Sequence, residues 1–230
     1  NSTEAVFEVQ FLRLASVNYS NNYWESQGVR GTGVWDLGWG FNVPTEELVN
    51  AYEVNDPRKE ATILFSGQNE GNGLTLPASP PLAQPYWNKK AYTTPSIRQG
   101  YGQNKNHWIN IKILRYADVI LMAAEAANEL GNSATASGYI EMIRARARGN
   151  NASILPKVTA MDQSSLRDAI KQERRIEFAM EGERFYDLVR WGDAENVLGG
   201  LGYQSRSQFY PIPQTAIDQS GGVLIQNPNY

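Results

Sequence analysis

Apolar positions recur along this chain first at every second residue and later at every third or fourth. Residues 5–13 alternate Phe7, Val9 and Phe11 against Glu8 and Gln10, the spacing of a half-buried strand. Pro44-Thr45-Glu46-Glu47 predicts a helix start, with Thr45 as cap and two acids in the first turn. Leu48, Val49 and Tyr52 form its inner face, and Asp56-Pro57 ends it. Residues 61–65 predict a short strand. From Ile111 the period turns helical: Ile113, Tyr116, Ala117, Ile120, Leu121, Ala124 and Ala127 share one stripe, closed by Gly131. Ser133 caps the next helix, whose Ala136, Tyr139, Ile140, Ile143 and Ala147 match that stripe up to Gly149. A short join makes the two an antiparallel hairpin, and the alanines allow close approach, as in helical repeats.

The stretch 166–191 organises the rest. Leu166, Ala169, Ile170, Ile176 and Met180 fall at helical spacing, and Glu173 and Glu177 land on the same apolar stripe. Carboxylates on a core-facing stripe are costly unless paired, so Arg174, Arg175, Arg184, Arg190 or the distant Arg115 must answer them. Paired acids also suit general acid and base chemistry, which needs one raised pKa and an open cleft. Arginines crowding the acids hold both ionised, which favours a structural ion network of Glu173, Glu177, Arg174, Arg184 and Arg190. Gly182 resets the chain, and Phe185, Leu188 and Val189 drive a short helix to Trp191. Arg144, Arg146 and Arg148 predict a solvated face at a helix end, where cations suit the dipole.

Two stretches carry no period. Residues 18–42 hold Tyr19, Tyr23, Trp24, Trp35, Trp39 and Phe41 among glycines and asparagines, and residues 66–106 are rich in Gly, Pro, Asn and Gln. Residues 199–230 are a turn-rich tail, expected to lie across a preformed surface. The chain is read as one domain over 1–230, divided into a strand and loop segment (1–110), a helical core (111–198) and the tail (199–230). The fold class is mainly α, a helical body with a few short strands and long irregular loops.

Composition narrows the chemistry. A net charge of −3 gives no electrostatic case for nucleic acid or an anionic membrane. Cysteine is absent, so there is no disulfide framework or thiolate metal site. His107 is the only histidine, leaving little for a catalytic triad or a metal centre. Gly31-Thr32-Gly33 and Gly100-Tyr101-Gly102 lack the setting of a nucleotide loop. No cofactor or metal is expected. No run of about 18 apolar residues occurs. The opening Asn1–Glu4 has no initiator Met or signal-like pattern, which suggests a processed chain or an excised domain.

Six segments, in order, carry a resemblance: AVFEVQF at Ala5, PTEELVNAYEVNDPRKEAT at Pro44, ILRYADVILMAAEAANELG at Ile113, LRDAIKQERRIEFAMEGERFYDLVRWG at Leu166, YPIPQTAID at Tyr210 and QNPNY at Gln226. Nearly the whole chain resembles the carboxy-terminal part of the SusD/RagB family. The resemblance implies a SusD-like helical fold and a non-catalytic lipoprotein on the external face of the outer membrane of Bacteroidetes. It implies capture of glycans, less often peptides, and their delivery to a SusC-like TonB-dependent transporter. The family's signal peptide, acylated cysteine and most of its amino-terminal helical-repeat half have no counterpart in these residues.

The quoted motifs are mostly scaffold, so ligand contacts are sought elsewhere. Sugars present flat CH faces edged by hydroxyls, and a site for them wants exposed Trp or Tyr platforms with amides and charges at the rim. Tyr23, Trp24, Trp35 and Trp39 stand beside Asn21, Asn22, Arg30 and Asp36; Tyr86 and Trp87 neighbour Asn88, with Arg98 further on. Tyr23, Trp24, Trp35, Trp39, Trp87, Asn22, Asp36 and Arg98 are the ligand-binding candidates. Each tryptophan is weighed against a packing role, since aromatics bury a large area; Trp108 and Trp191 are assigned to packing. Two rivals remain: a helical-repeat or peptide-binding interaction module, and a glycosidase using Glu173 and Glu177.

Overall fold

The computed structural model describes residues 3–11, 22–99, 109–159 and 162–230. Arg13, residues 18–21, residues 100–102, His107 and Trp108 lie outside the described residues. The chain forms two compact units, Asn1–Met180 and Glu181–Tyr230. Among the described residues it is mainly helical, with ten α-helices and four short strands.

The first unit runs β1 (Ala5–Val9), α1 (Asn22–Gln27), α2 (Glu46–Ala51), α3 (Pro57–Thr62), β2 (Ile63–Phe65), β3 (Tyr86–Asn88), α4 (Pro95–Gln99), β4 (Ile111–Arg115), α5 (Tyr116–Glu129), α6 (Ser133–Arg148) and α7 (Gln163–Glu177). Strands β1 and β4 form one antiparallel pair, β2 and β3 another. Thr45 caps α2 by accepting from the Leu48 amide at 3.2 Å. Asp56-Pro57 opens a second helix rather than merely ending the first: Asp56 accepts from the Arg58 amide at 2.9 Å, and Pro57 lacks only an N–H that a first turn leaves orphaned.

The helical hairpin is α5 and α6, with one correction to its start. Residues 111–115 are extended, because they alternate and pair with β1, so Ile113 is on a strand and half exposed, and the helix begins at Tyr116. Asn132, not Ser133, stands at the cap of α6. Helix α7 lies against the hairpin, with Leu166 and Ile170 meeting Ala124, Ala127, Ala136 and Ile140. The small alanines let three helices share one core.

Glu173 and Glu177 are buried on α7 and ion-paired. Arg58 reaches Glu173 at 2.5 Å and Glu177 at 3.2 Å through one nitrogen. Arg144 takes the other Glu173 oxygen at 3.1 Å and holds Glu53 at 2.6 Å. Glu177 also receives Arg115 at 2.7 Å and Arg146 at 2.6 Å, and both of these reach Glu4. Arg115 was among the expected partners; Arg174 and Arg175 instead pair with Asp118 and Glu47, each at 2.6 Å. Arg144 and Arg146 were assigned to a solvated face, yet they supply this network, because α6 turns that face toward α7. Arg148 bonds Glu141 and the Leu155 carbonyl.

In the second unit, α8 (Arg184–Trp191), α9 (Ala194–Leu198) and α10 (Gln214–Gln219) surround little apolar core, with Leu188 and Ala194 buried. Arg190 pairs with the buried Asp187 at 2.9 Å and lies over the half-buried Trp191 ring. Arg184 opens the same helix. Gly192 takes φ 75° to close α8, a conformation that a side chain disfavours. The tail closes on itself through amides: Gln226 accepts from the Ile212 N–H at 2.8 Å and donates to its carbonyl at 2.9 Å, and Asn227 donates to Tyr210 at 2.6 Å. Residues 184–198 and the tail belong to this second unit.

Burial alone raises the Glu177 carboxyl, but the Arg146 and Arg115 guanidiniums outweigh it and hold it at about 2, against an ordinary 4.5. A carboxyl held below its unfolded value adds stability that is complete above the unfolded pKa and is lost as pH falls through the folded one. Acid should therefore remove roughly 3 kcal/mol from this group between about pH 5 and pH 2. Glu177→Gln is expected to be destabilised at neutral pH and to show a flatter acid limb in urea unfolding. A limb as steep as wild type would show that the network adds nothing.

Candidate functional site

The first aromatic stretch has more structure than its composition indicated. Residues 22–27 form α1, in which Ser26 and Gln27 side chains both bond the Tyr23 carbonyl, at 2.8 and 2.9 Å. The segment 37–41 then runs back along residues 25–29. Leu37 N–H donates to Val29 at 2.9 Å, Trp39 to Glu25 at 3.0 Å, Gly40 to Gly28 at 3.0 Å and Phe41 to Ser26 at 2.8 Å. The two backbones meet so closely that a Cβ on Gly38 would lie 2.0 Å from the Glu25 carbonyl oxygen. Only glycine fits there.

This ribbon is tied to the second irregular stretch by Gln27. Its buried side-chain oxygen accepts from Asn42 at 2.7 Å and from Asn88, on β3, at 2.9 Å. Beneath it Val29, Trp35, Leu37, Leu64, Leu76, Leu82 and Trp87 make one apolar cluster. The Trp87 ring sits under Gly40, and its N–H donates to Ser66 at 2.9 Å. Long stretches without period are thus held by a core of their own.

The candidates divide sharply. Trp87 is 1% exposed, and Trp24 and Trp35 are also buried. Trp24 donates to the Ile109 carbonyl at 2.9 Å, and Trp35 stacks on Tyr92 at 6.1 Å. All three rings are packed inside the described residues. Arg98 is buried too, bonding the Thr93 carbonyl and lying over Tyr92. Trp39 is 54% exposed, with Phe41 beside it at 60% and Tyr23, edge-on to Trp24 at 5.0 Å, at 38%. Asn22 is exposed at the start of α1, and the half-buried Asp36 bridges backbone to backbone with Arg30. Phe41, Gln27 and Asn42 were not among the candidates. The glycines on either side of Trp39 were the available signal, because they let the backbone sink and leave the ring proud.

The sequence profile of the SusD family matches residues 3–208. The chain belongs to the SusD family. It is 27% identical to SusD-like protein P2 of Formosa agariphila, across 99% of this chain and 48% of that protein. Among solved structures it resembles a laminarin-binding SusD-like protein, with TM-score 0.75, 28% identity, and coverage of 99% of this chain and 50% of the other. It shares a fold with surface glycan-binding protein A of Bacteroides thetaiotaomicron, solved in complex with laminarihexaose (TM-score 0.66, 24% identity, 99% and 52% coverage). The chain spans about half the length of these relatives. The SusD fold accounts for the mainly helical body with few, short strands.

Stability should separate the two kinds of tryptophan. Trp87→Ala empties a core site and should cost about 3–5 kcal/mol, while Trp39→Ala should stay within about 0.5 kcal/mol. Gly38→Ala should cost about 2 kcal/mol or more, since backbone stands where its methyl would go. Denaturant melts of the three variants check this, and equal losses for Trp39 and Trp87 would contradict the division.

Proposed function

We propose that this chain captures glycan chains without breaking them, at the exposed aromatic surface of Trp39, Phe41 and Tyr23. The observation that carries the reading is the Trp39 ring, open to solvent on a backbone fixed by hydrogen bonds on both sides. A platform already rigid loses little freedom when a sugar stacks on it. Asn22, Asn42, Arg30 and Asp36 lie along the same ribbon and helix as donors and acceptors for hydroxyls. Likeness to a laminarin-binding SusD-like protein makes a glucan the first ligand to try.

Non-catalytic capture is supported by the state of the two conspicuous acids. A general acid needs a raised pKa, whereas Glu177 is held at about 2 among arginines, and Glu173 is buried against Arg58 and Arg144. In the whole protein, we place this capture on the external face of the outer membrane, lipid-anchored, with delivery to a SusC-like TonB-dependent transporter. A second reading, docking of a peptide or protein helix, draws on one observation: α5 leaves Tyr116, Val119, Met122 and Leu130 exposed on the side away from its core stripe.

Calorimetric titration with laminarin oligosaccharides and with peptides tests both. Saturable oligosaccharide binding, weakened at least tenfold by Trp39→Ala and accompanied by no new reducing ends, is the expected outcome. Binding that ignores Trp39 but is lost in Met122→Lys would favour the docking reading, and reducing ends formed by wild type but not by Glu173→Gln would establish hydrolysis.

A further inference from the structure

Arg98 differs from the other buried arginines of the first unit. Arg115, Arg144 and Arg174 each hold a carboxylate, at 2.7, 2.6 and 2.6 Å. Arg98 is 3% exposed, and its partners are neutral: Nη1 donates to the Thr93 carbonyl, Nη2 reaches the Val34 carbonyl only at 3.4 Å, and the guanidinium lies 5.2 Å from the Tyr92 ring centroid. Among the described residues Nε has no hydrogen bond within 3.5 Å and neither has the Tyr92 hydroxyl; the guanidinium and the phenol lie near each other, burial pushing the Tyr92 hydroxyl pKa up while Arg98 draws it down. Glu70 is the carboxylate whose charge reaches Tyr92, but its oxygens are taken by the Asn72 and Leu74 amides and the Asn72 side chain. A buried cation with one edge of its fork idle is costly to keep, and a bound anion would remove that cost.

We propose that Arg98 is a receptor for a carboxylate, taken in the two-pronged manner on Nε and Nη2, with the Tyr92 hydroxyl as a further donor. Planar carboxylates fit this edge of a guanidinium, which is why arginine recurs where they are bound. Val34, whose carbonyl makes the 3.4 Å contact, is itself more than half exposed, on the turn that leads into the Trp39 ribbon. A carboxylate entering there displaces one long contact and gains two charge-assisted ones. Among carboxylates we take a uronic acid as the ligand class, a choice that rests on the glycan reading above. The carboxylate site itself rests on the idle fork and not on the Trp39 reading.

The test is the Nε–H resonance of Arg98 in the wild-type protein, assigned by its loss in Arg98→Lys and followed by ¹H–¹⁵N correlation. Sodium glucuronate, sodium acetate and glucose are titrated at constant ionic strength. A saturable shift with glucuronate and acetate, absent with glucose, is expected. No shift with either carboxylate, or the same shift with glucose, overturns the site. In parallel, glucuronate should raise the thermal midpoint of wild type and not that of Arg98→Met; an equal rise in both would also overturn it. If Arg98→Met does not fold, the resonance decides alone. Laminarin-oligosaccharide binding by Trp39→Ala is measured separately, so failure of one site leaves the other readable.

Discussion

The first unit depends on two carboxylates one helical turn apart. Glu173 and Glu177 are on a face that apolar residues otherwise occupy, and both are paired there with the guanidiniums of Arg58, Arg115, Arg144 and Arg146. These arginines come from the start of α3, the end of β4 and the last turns of α6, so a single charged centre fixes three elements against α7. Removing one acid takes a shared partner from two or three guanidiniums at once and leaves them on Asp56, Glu53 and Glu4, which is why such centres are harder to break than to replace wholesale. Apolar packing around them, by Ala124, Ile140, Leu166 and Ile170, supplies attraction without direction. The ion pairs supply the direction.

Most of the helical architecture could be read from residue period alone. The stripes of α5, α6 and α7 hold for Ala117, Ile120, Leu121, Ala124, Ala127, Ala136, Ile140, Ile143, Leu166, Ile170 and Ile176, because amphipathic spacing is a local property; Tyr116, at the first turn of α5, is half exposed instead, and Met180 lies past the end of α7. What failed was partner choice. Arg174 and Arg175 are adjacent to the acids in sequence but point to Asp118 and Glu47, while Arg58 is far away in the chain and adjacent in space. Likewise Ile113 fits either period, and only its pairing with β1, more than a hundred residues earlier, makes it a strand.

The candidate surface was legible as a composition and not as a geometry. Four loop tryptophans look alike in sequence, yet three are inside and one is outside. What distinguishes them is the backbone: Gly38 and Gly40 let residues 37–41 press against 25–29 and against Trp87, and the side chain between those glycines is turned out. The buried Arg98 was anticipated as a contact residue, but nothing in its neighbourhood in sequence foretold that it would lack a carboxylate partner.

The charged centre also has a direction in time. Arg58 lies 115 residues before Glu173, and Arg115 lies 62 before Glu177. A ribosome or a translocation pore delivers the chain from its amino end, so the cations emerge first and the acids last. Until α7 is released, Arg144 and Arg146 have only Glu53 and Glu4 to pair with, and the alanine face of the α5–α6 hairpin lacks Leu166 and Ile170. The acids that join residues from across the first unit thus arrive near the end of its delivery. Any stall before Glu173 would present quality-control machinery with a helix pair that is formed but not held.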